Sequence, residues 1–314
     1  MKKGALSHTM PFVQFLLIFI IVLLSSVVVT LIGVLMALPV IGLNGIMEVA
    51  TAGGSIAVLK YLQMVQSFAI FVVPSLIVAW LFSVRPIYWL WFRAANWRLV
   101  VISVLLIFVA QPFTAWSAQW NASLTLPESL RGIEMWMKSA EESASGIIFR
   151  FLDTTNPLAI LFNVLMIAVL PAFGEEMLFR GAIQPTFQRW VKNHHLAIWF
   201  TAFVFSAMHM QFLTFMPRFI LGGLLGYMLV YGGSIWYPIA AHFFNNLMSL
   251  VVFHYYRAYK PEVNPLDPNL DAPSWWLAIG SLLAACFVWW LLRNRRTDNE
   301  IDSSQVIMDS SQDD

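Results

Sequence analysis

A chain of 314 residues, 59% hydrophobic and only 11% charged, lacks the polar surface of a soluble globule, in which about a quarter of residues are charged. Its 18 Lys+Arg against 17 Asp+Glu leave a formal net charge of +1, without the basic excess on which nucleic-acid binding depends, so nucleic acid is not an expected partner. The single cysteine, Cys286, rules out an internal disulfide framework or a cysteine-based metal site.

The apolar residues fall in runs of about twenty, the length at which a helix crosses a bilayer core. In chain order the runs predict about eight spans, at 11–38, 63–83, 97–116, 157–190, 195–214, 216–232, 234–256 and 274–292. The fold class is therefore all-α, a polytopic transmembrane helical bundle over 1–296, with the bilayer as its partner. The first run follows Lys2 and Lys3 but is about twice as long as a signal-peptide core, so it reads as a retained helix. The fourth run is long and contains Pro171, Gly174 and several charges, which predicts a kinked helix that extends beyond the membrane. Between the third and fourth runs, Glu128 to Phe151 has the pattern of an amphipathic helix lying on the membrane surface. The Gly222, Gly223 and Gly226 cluster in the sixth run reads as close helix packing, and Gly232-Gly233 as a tight turn. Residues 297–314 are polar and acidic and read as a disordered tail.

With a cytoplasmic N-terminus, the inside segments hold ten Lys and Arg and the outside segments seven over longer loops. The positive-inside rule thus favours both termini in the cytoplasm. Trp89, Trp91, Trp97, Trp116, Trp236, Trp275 and Trp276 flank the runs, as anchors at headgroup depth do.

Charge is scarce in the runs, and two carboxylates stand together at Glu175 and Glu176. A charge at the bilayer centre costs at least about 2.5 kcal/mol on insertion scales, so the pair needs a reason. At roughly 100° per residue, Glu176 and Arg180 share a helix face and can form an ion pair, while Glu175 points away and is left free. Glu175 and His209 each lie 17 residues from Lys192, in the turn between the fourth and fifth runs. An antiparallel hairpin would set them at equal depth. His242 and Asn246 are four apart on the seventh run and share a face.

A glutamate, two histidines and an asparagine can be assembled into a hydrolytic site: a carboxylate and an imidazole polarise water, and a second imidazole with an amide holds an oxyanion. Glu175, His209 and His242 also have the ligand chemistry of a catalytic zinc site, so zinc is the alternative cofactor to none. A purely structural ion-pair knot is the competing reading of the Glu-Glu-Arg group. His194 and His195 read as solvated turn residues.

These residues resemble a known family. Glu175-Glu176-Met177-Leu178-Phe179-Arg180 is similar to the EExxxR motif of the CPBP membrane proteases, the group of CAAX prenyl endopeptidases and bacteriocin-processing, immunity or abortive-infection proteins. Phe205 to His209 matches the FxxxH motif of that family, and His242 to Asn246 its HxxxN motif. The resemblance covers about 155–255. It implies an intramembrane endopeptidase acting on a membrane-associated or lipidated peptide or protein, expected in a bacterial cytoplasmic membrane. By this resemblance Glu175 and His209 activate water, His242 and Asn246 line the oxyanion site, and Glu176 and Arg180 support the first motif. The expected mechanism is metal-free, with Glu175, His209 and His242 as the ligand set of the metallo alternative. A non-catalytic scaffold or immunity protein using the same fold is the alternative function, and a proton-coupled transporter is the weaker rival.

Overall fold

In the computed structural model, which describes residues 2–50, 54–267, 270 and 273–294, there is no β-strand among the described residues. The expected acidic tail lies outside the described residues. The helices are α1 (Pro11–Ala50), α2 (Ile56–Phe82), α3 (Trp97–Ser123), the amphipathic α4 (Arg131–Leu152), α5 (Pro157–Val191), α6 (His194–Met208), α7 (Phe215–Gly232), α8 (Trp236–Tyr259) and α9 (Trp275–Asn294). They fall on the eight runs plus the expected surface helix, so the chain is a multi-pass integral membrane protein.

The count of eight needs refinement. Among the described residues six helices, α1, α2, α3, α5, α7 and α9, are long and apolar enough to cross a membrane. The eighth run's neighbour α8 has 24 residues but carries His242, Asn245, Asn246, His254 and Arg257, which lower its hydropathy. The fifth run was expected to extend to 214, yet α6 stops at Met208 after 15 residues. At 1.5 Å per residue that is about 22 Å, short of the roughly 30 Å hydrocarbon core.

Prolines shape the long helices. A proline lacks the N–H that would bond the carbonyl four residues back, so the ladder must slip or break there. In α2 a π-helical segment, Phe68–Val72, precedes Pro74. Within α5, π segments at Val164–Val169 and Met177–Ile183 precede Pro171 and Pro185. Each of these three prolines thus follows a widened turn that absorbs its missing hydrogen bond, and α5 continues where a break was possible. α1 is interrupted at Gly42, whose φ of 64° and ψ of 178° suit only glycine.

One buried cluster joins α1, α2, α5 and α6 through Phe15, Val78, Phe179 and Ala197. A second joins α3, α7, α8 and α9 through Leu106, Leu225, Ala241 and Val288. α5 lies between them, and every residue from Gly174 to Gln184 is buried. Among the flanking tryptophans, Trp97, Trp275 and Trp276 are exposed as interface anchors should be. Trp89, by contrast, is 7% exposed and packs edge-on against Phe82; the turn at Pro86–Trp89 folds it inward.

The glycines of α7 serve close packing against α6. A Cβ on Gly222 would lie 3.0 Å from the Cα of Ala202, backbone that has no rotamer to yield. Gly222→Ala is expected to cost about 1 to 3 kcal/mol by overpacking, read as a lowered unfolding temperature in detergent.

Candidate active site

The buried stretch of α5 contains four polar side chains, Glu175, Glu176, Arg180 and Gln184. Three of them, Glu176, Arg180 and Gln184, form hydrogen bonds to α7 or α8. Arg180 Nη1 donates to Glu176 Oε1 at 3.0 Å, and Arg180 Nη2 donates to the carbonyl of Gly222 at 3.0 Å. One turn on, Gln184 Nε2 donates to the carbonyl of Gly226 at 3.1 Å. The bare glycine surface of α7 therefore has a second use: it leaves two carbonyls open to side chains from α5. The Arg180–Glu176 pair has both side chains fully buried, where a charge persists only if paired and hydrogen-bonded.

Glu176 Oε1 also receives His242 Nδ1 at 2.8 Å. A carboxylate accepts, so Nδ1 carries the proton, and the ring turns its Nε2 toward Glu175 Oε2 at 3.8 Å. The second histidine repeats this arrangement. His209 is the C-cap of α6; its Nδ1 donates to the carbonyl of Phe205 at 2.8 Å, and its Nε2 lies 3.9 Å from Glu175 Oε2. A backbone carbonyl can only accept, so Nδ1 is the protonated nitrogen of the neutral His209 ring and its Nε2 is left as an acceptor. Among the described residues Glu175 Oε2 has no hydrogen-bond partner.

Phe205 joins the group physically. Its ring lies 4.7 Å from the Arg180 guanidinium, edge-on to His209 at 4.9 Å and to His242 at 5.9 Å. Gly174, beside Glu175, lets α2 approach: a Cβ there would lie 3.0 Å from that of Phe71.

Asn246 stands one turn beyond His242 on α8. Its Nδ2 donates to the carbonyl of Ile167 at 3.2 Å, and its Oδ1 accepts from Asn245 at 3.3 Å. Pro171 removes the donor that an α-helix would supply to the Ile167 carbonyl, and Asn246 fills that role. Gln111 of α3 extends the chain by donating to Asn245 Oδ1 at 3.1 Å. Glu175, His209 and His242 thus meet around one carboxylate oxygen, whereas Asn246, one turn beyond His242 on α8, is held to α5 at Ile167, more than two turns before Glu175.

Two imidazole nitrogens around a carboxylate have the donor chemistry of a zinc set, for which Glu175, His209 and His242 would be the ligands; among the described residues no group of three or more His, Cys, Asp or Glu is spaced to hold an ion.

Residues 157–248 match the family described as type II CAAX prenyl endopeptidase Rce1-like. The resemblance lies with the Rce1-like CAAX endopeptidases. That Rce1-like segment contains all seven residues that define the three motifs. The uncharacterized protein YpbD of Bacillus subtilis (strain 168) is 33% identical over 85 residues, covering 26% of this chain and 40% of that protein. The chain therefore matches less than half of that relative's length. No solved structure matches it.

Three contributions next to the Rce1-like motifs escape sequence reasoning. The Glu176–His242 bond joins residues 66 positions apart, which no spacing rule anticipates. Arg218, on the first turn of α7, is within electrostatic reach of Glu175 and His209. Glu141, on the surface helix α4, is buried against the link that follows His209. The one available signal is charge in a nearly uncharged chain, where Arg218 stands near the start of the sixth run.

Proposed function

We propose that the chain is an intramembrane endopeptidase that hydrolyses a peptide bond of a membrane-associated or lipidated substrate with a glutamate-activated water. The observation that carries this reading is the unpartnered Glu175 Oε2, buried, with the Nε2 atoms of His209 and His242 within 3.9 Å. A water about 2.8 Å from both Glu175 Oε2 and His209 Nε2 donates one hydrogen to each, because both atoms accept. Its lone pair is then turned outward, toward a substrate carbonyl.

As the water oxygen bonds to the carbonyl carbon, its proton passes to Glu175. The resulting oxyanion needs donors. His242 donates from Nε2–H while its Nδ1–H stays on Glu176 Oε1. Asn246 contributes its second amide hydrogen, the first being held by Ile167. When the C–N bond breaks, Glu175 returns its proton to the leaving amine, which closes the cycle without net proton gain. No step requires a metal.

The test is incubation of the full-length chain in liposomes with a panel of membrane-anchored peptides, with products read by mass spectrometry in 18O-water. Two fragments with 18O in the new carboxyl group, formed equally in the presence of phenanthroline, are expected. An inserted, folded protein that cleaves nothing in the panel rejects the peptidase reading; loss of cleavage on chelation rejects its metal-free form.

A further inference from the structure

α6 stops about 22 Å from its polar starting turn, so the link 210–214 between His209 and α7 carries non-helical backbone at membrane depth. Such backbone is tolerated only where protein or water satisfies it. Three side chains from three helices do so here. Asn121 of α3 donates to the Phe212 carbonyl at 3.0 Å and accepts the Met216 N–H at 2.8 Å. Arg218 Nη1 donates to the Thr214 carbonyl at 3.3 Å and to its hydroxyl at 2.5 Å, and Nη2 to the Gln211 side chain. Glu141 uses both carboxylate oxygens, accepting the Leu213 N–H at 2.8 Å and the Thr214 hydroxyl at 2.9 Å.

Glu141 is unusual for its helix. α4 is amphipathic and largely exposed, and before its last two residues Glu141 is its one buried side chain. It also borders an open groove of about 570 Å³, shared with Lys138, Ser145, Phe149 and Leu213, so water reaches one side of the clasp. On the other side, the link begins at once with His209. Met210 follows in a left-handed conformation, φ 53°, which a side-chain-bearing residue adopts only when its surroundings hold it.

We infer that Glu141 is a positioning residue: through Leu213 and Thr214 it fixes the 210–214 link and so holds His209 against Glu175. α4 is then more than a membrane-surface helix; it is the outer half of a clasp whose inner half is Thr214 and Arg218. Removing the carboxylate leaves the Leu213 N–H without its acceptor, and the strained reversal at Met210 relaxes, carrying the imidazole away from Glu175. The catalytic consequence rests on the peptidase reading; the structural coupling does not.

The test labels the full chain, in nanodiscs of phosphatidylethanolamine and phosphatidylglycerol, with diethylpyrocarbonate and reads each histidine by mass. In Glu141→Ala, His209 is expected to react severalfold faster than in the wild type while His242 keeps its wild-type rate. Glu141→Gln retains one oxygen acceptor and should fall between. An unchanged His209 rate, or His209 and His242 rising together as in general loosening, overturns the inference. On a cleavable substrate, Glu141→Ala should lower kcat by about 100-fold with KM kept, the scale expected for misplacing a reacting group by about 1 Å; a change in KM alone also overturns it. A wild type that cleaves nothing rejects the peptidase reading and leaves the labelling to judge the clasp.

Discussion

Glu175→Gln is expected to lower peptide hydrolysis by about 10²- to 10⁴-fold, the range that a positioned general base contributes, while the protein still inserts and accumulates. The substitution keeps the shape of the side chain and leaves an amide oxygen that can still orient a water. What it removes is the capacity to take the proton and give it back. His209→Ala should fall in the same range, because the water then loses its second acceptor and its lone pair is no longer aimed. The two losses should not add: a water held by one partner is already misdirected, so the double variant should resemble either single one. The measurement is turnover of a verified membrane-anchored peptide at saturating substrate. Full activity in Glu175→Gln would end the assignment of this residue as base. It would also favour a scaffold that uses the same polar cavity for binding, since binding tolerates an isosteric amide better than proton transfer does.

Local periodicity made one part of this site legible and left another hidden. The Glu176–Arg180 pair follows from four-residue spacing, and the approach of Glu175 to His209 from their equal distance to the turn at Lys192, which the structure places in a left-handed helix cap. Both are properties of a single helix or a single hairpin. The bond from His242 to Glu176 depends on how α8 docks on α5, and hydropathy is blind to docking. The end of α6 was hidden for a different reason. Gln211 to Met216 contains enough Phe, Leu and Met to continue an apolar run, and the stop becomes visible only once Glu141, Asn121 and Arg218 are seen satisfying its backbone. Pro171 was read correctly as a disturbance, but its outcome, a π segment plus an asparagine on the orphaned Ile167 carbonyl, requires knowing which residue of α8 lies opposite.

Arg180→Met is expected to destabilise the fold by about 3 to 5 kcal/mol, the cost of removing one partner from a buried ion pair. Methionine matches much of the arginine's length and fills its space beside Phe205, so packing loss is small and the electrostatic loss dominates. Glu176 would be left fully buried with only His242 to balance it, and the Gly222 carbonyl would lose its side-chain donor. Adding Glu176→Gln to this variant should recover part of the loss, since the remaining charge is gone and the amide oxygen can still accept from His242 Nδ1. Unfolding in detergent, followed by tryptophan fluorescence, reads both effects; an Arg180→Met protein as stable as the wild type would contradict them. Activity should not recover in parallel. Glu176 Oε1 is the single atom that holds both Arg180 and His242, and a neutral amide there holds the imidazole by a weaker hydrogen bond than a carboxylate does. The double variant is therefore expected to separate the two uses of the same oxygen, regaining fold stability while its turnover stays low.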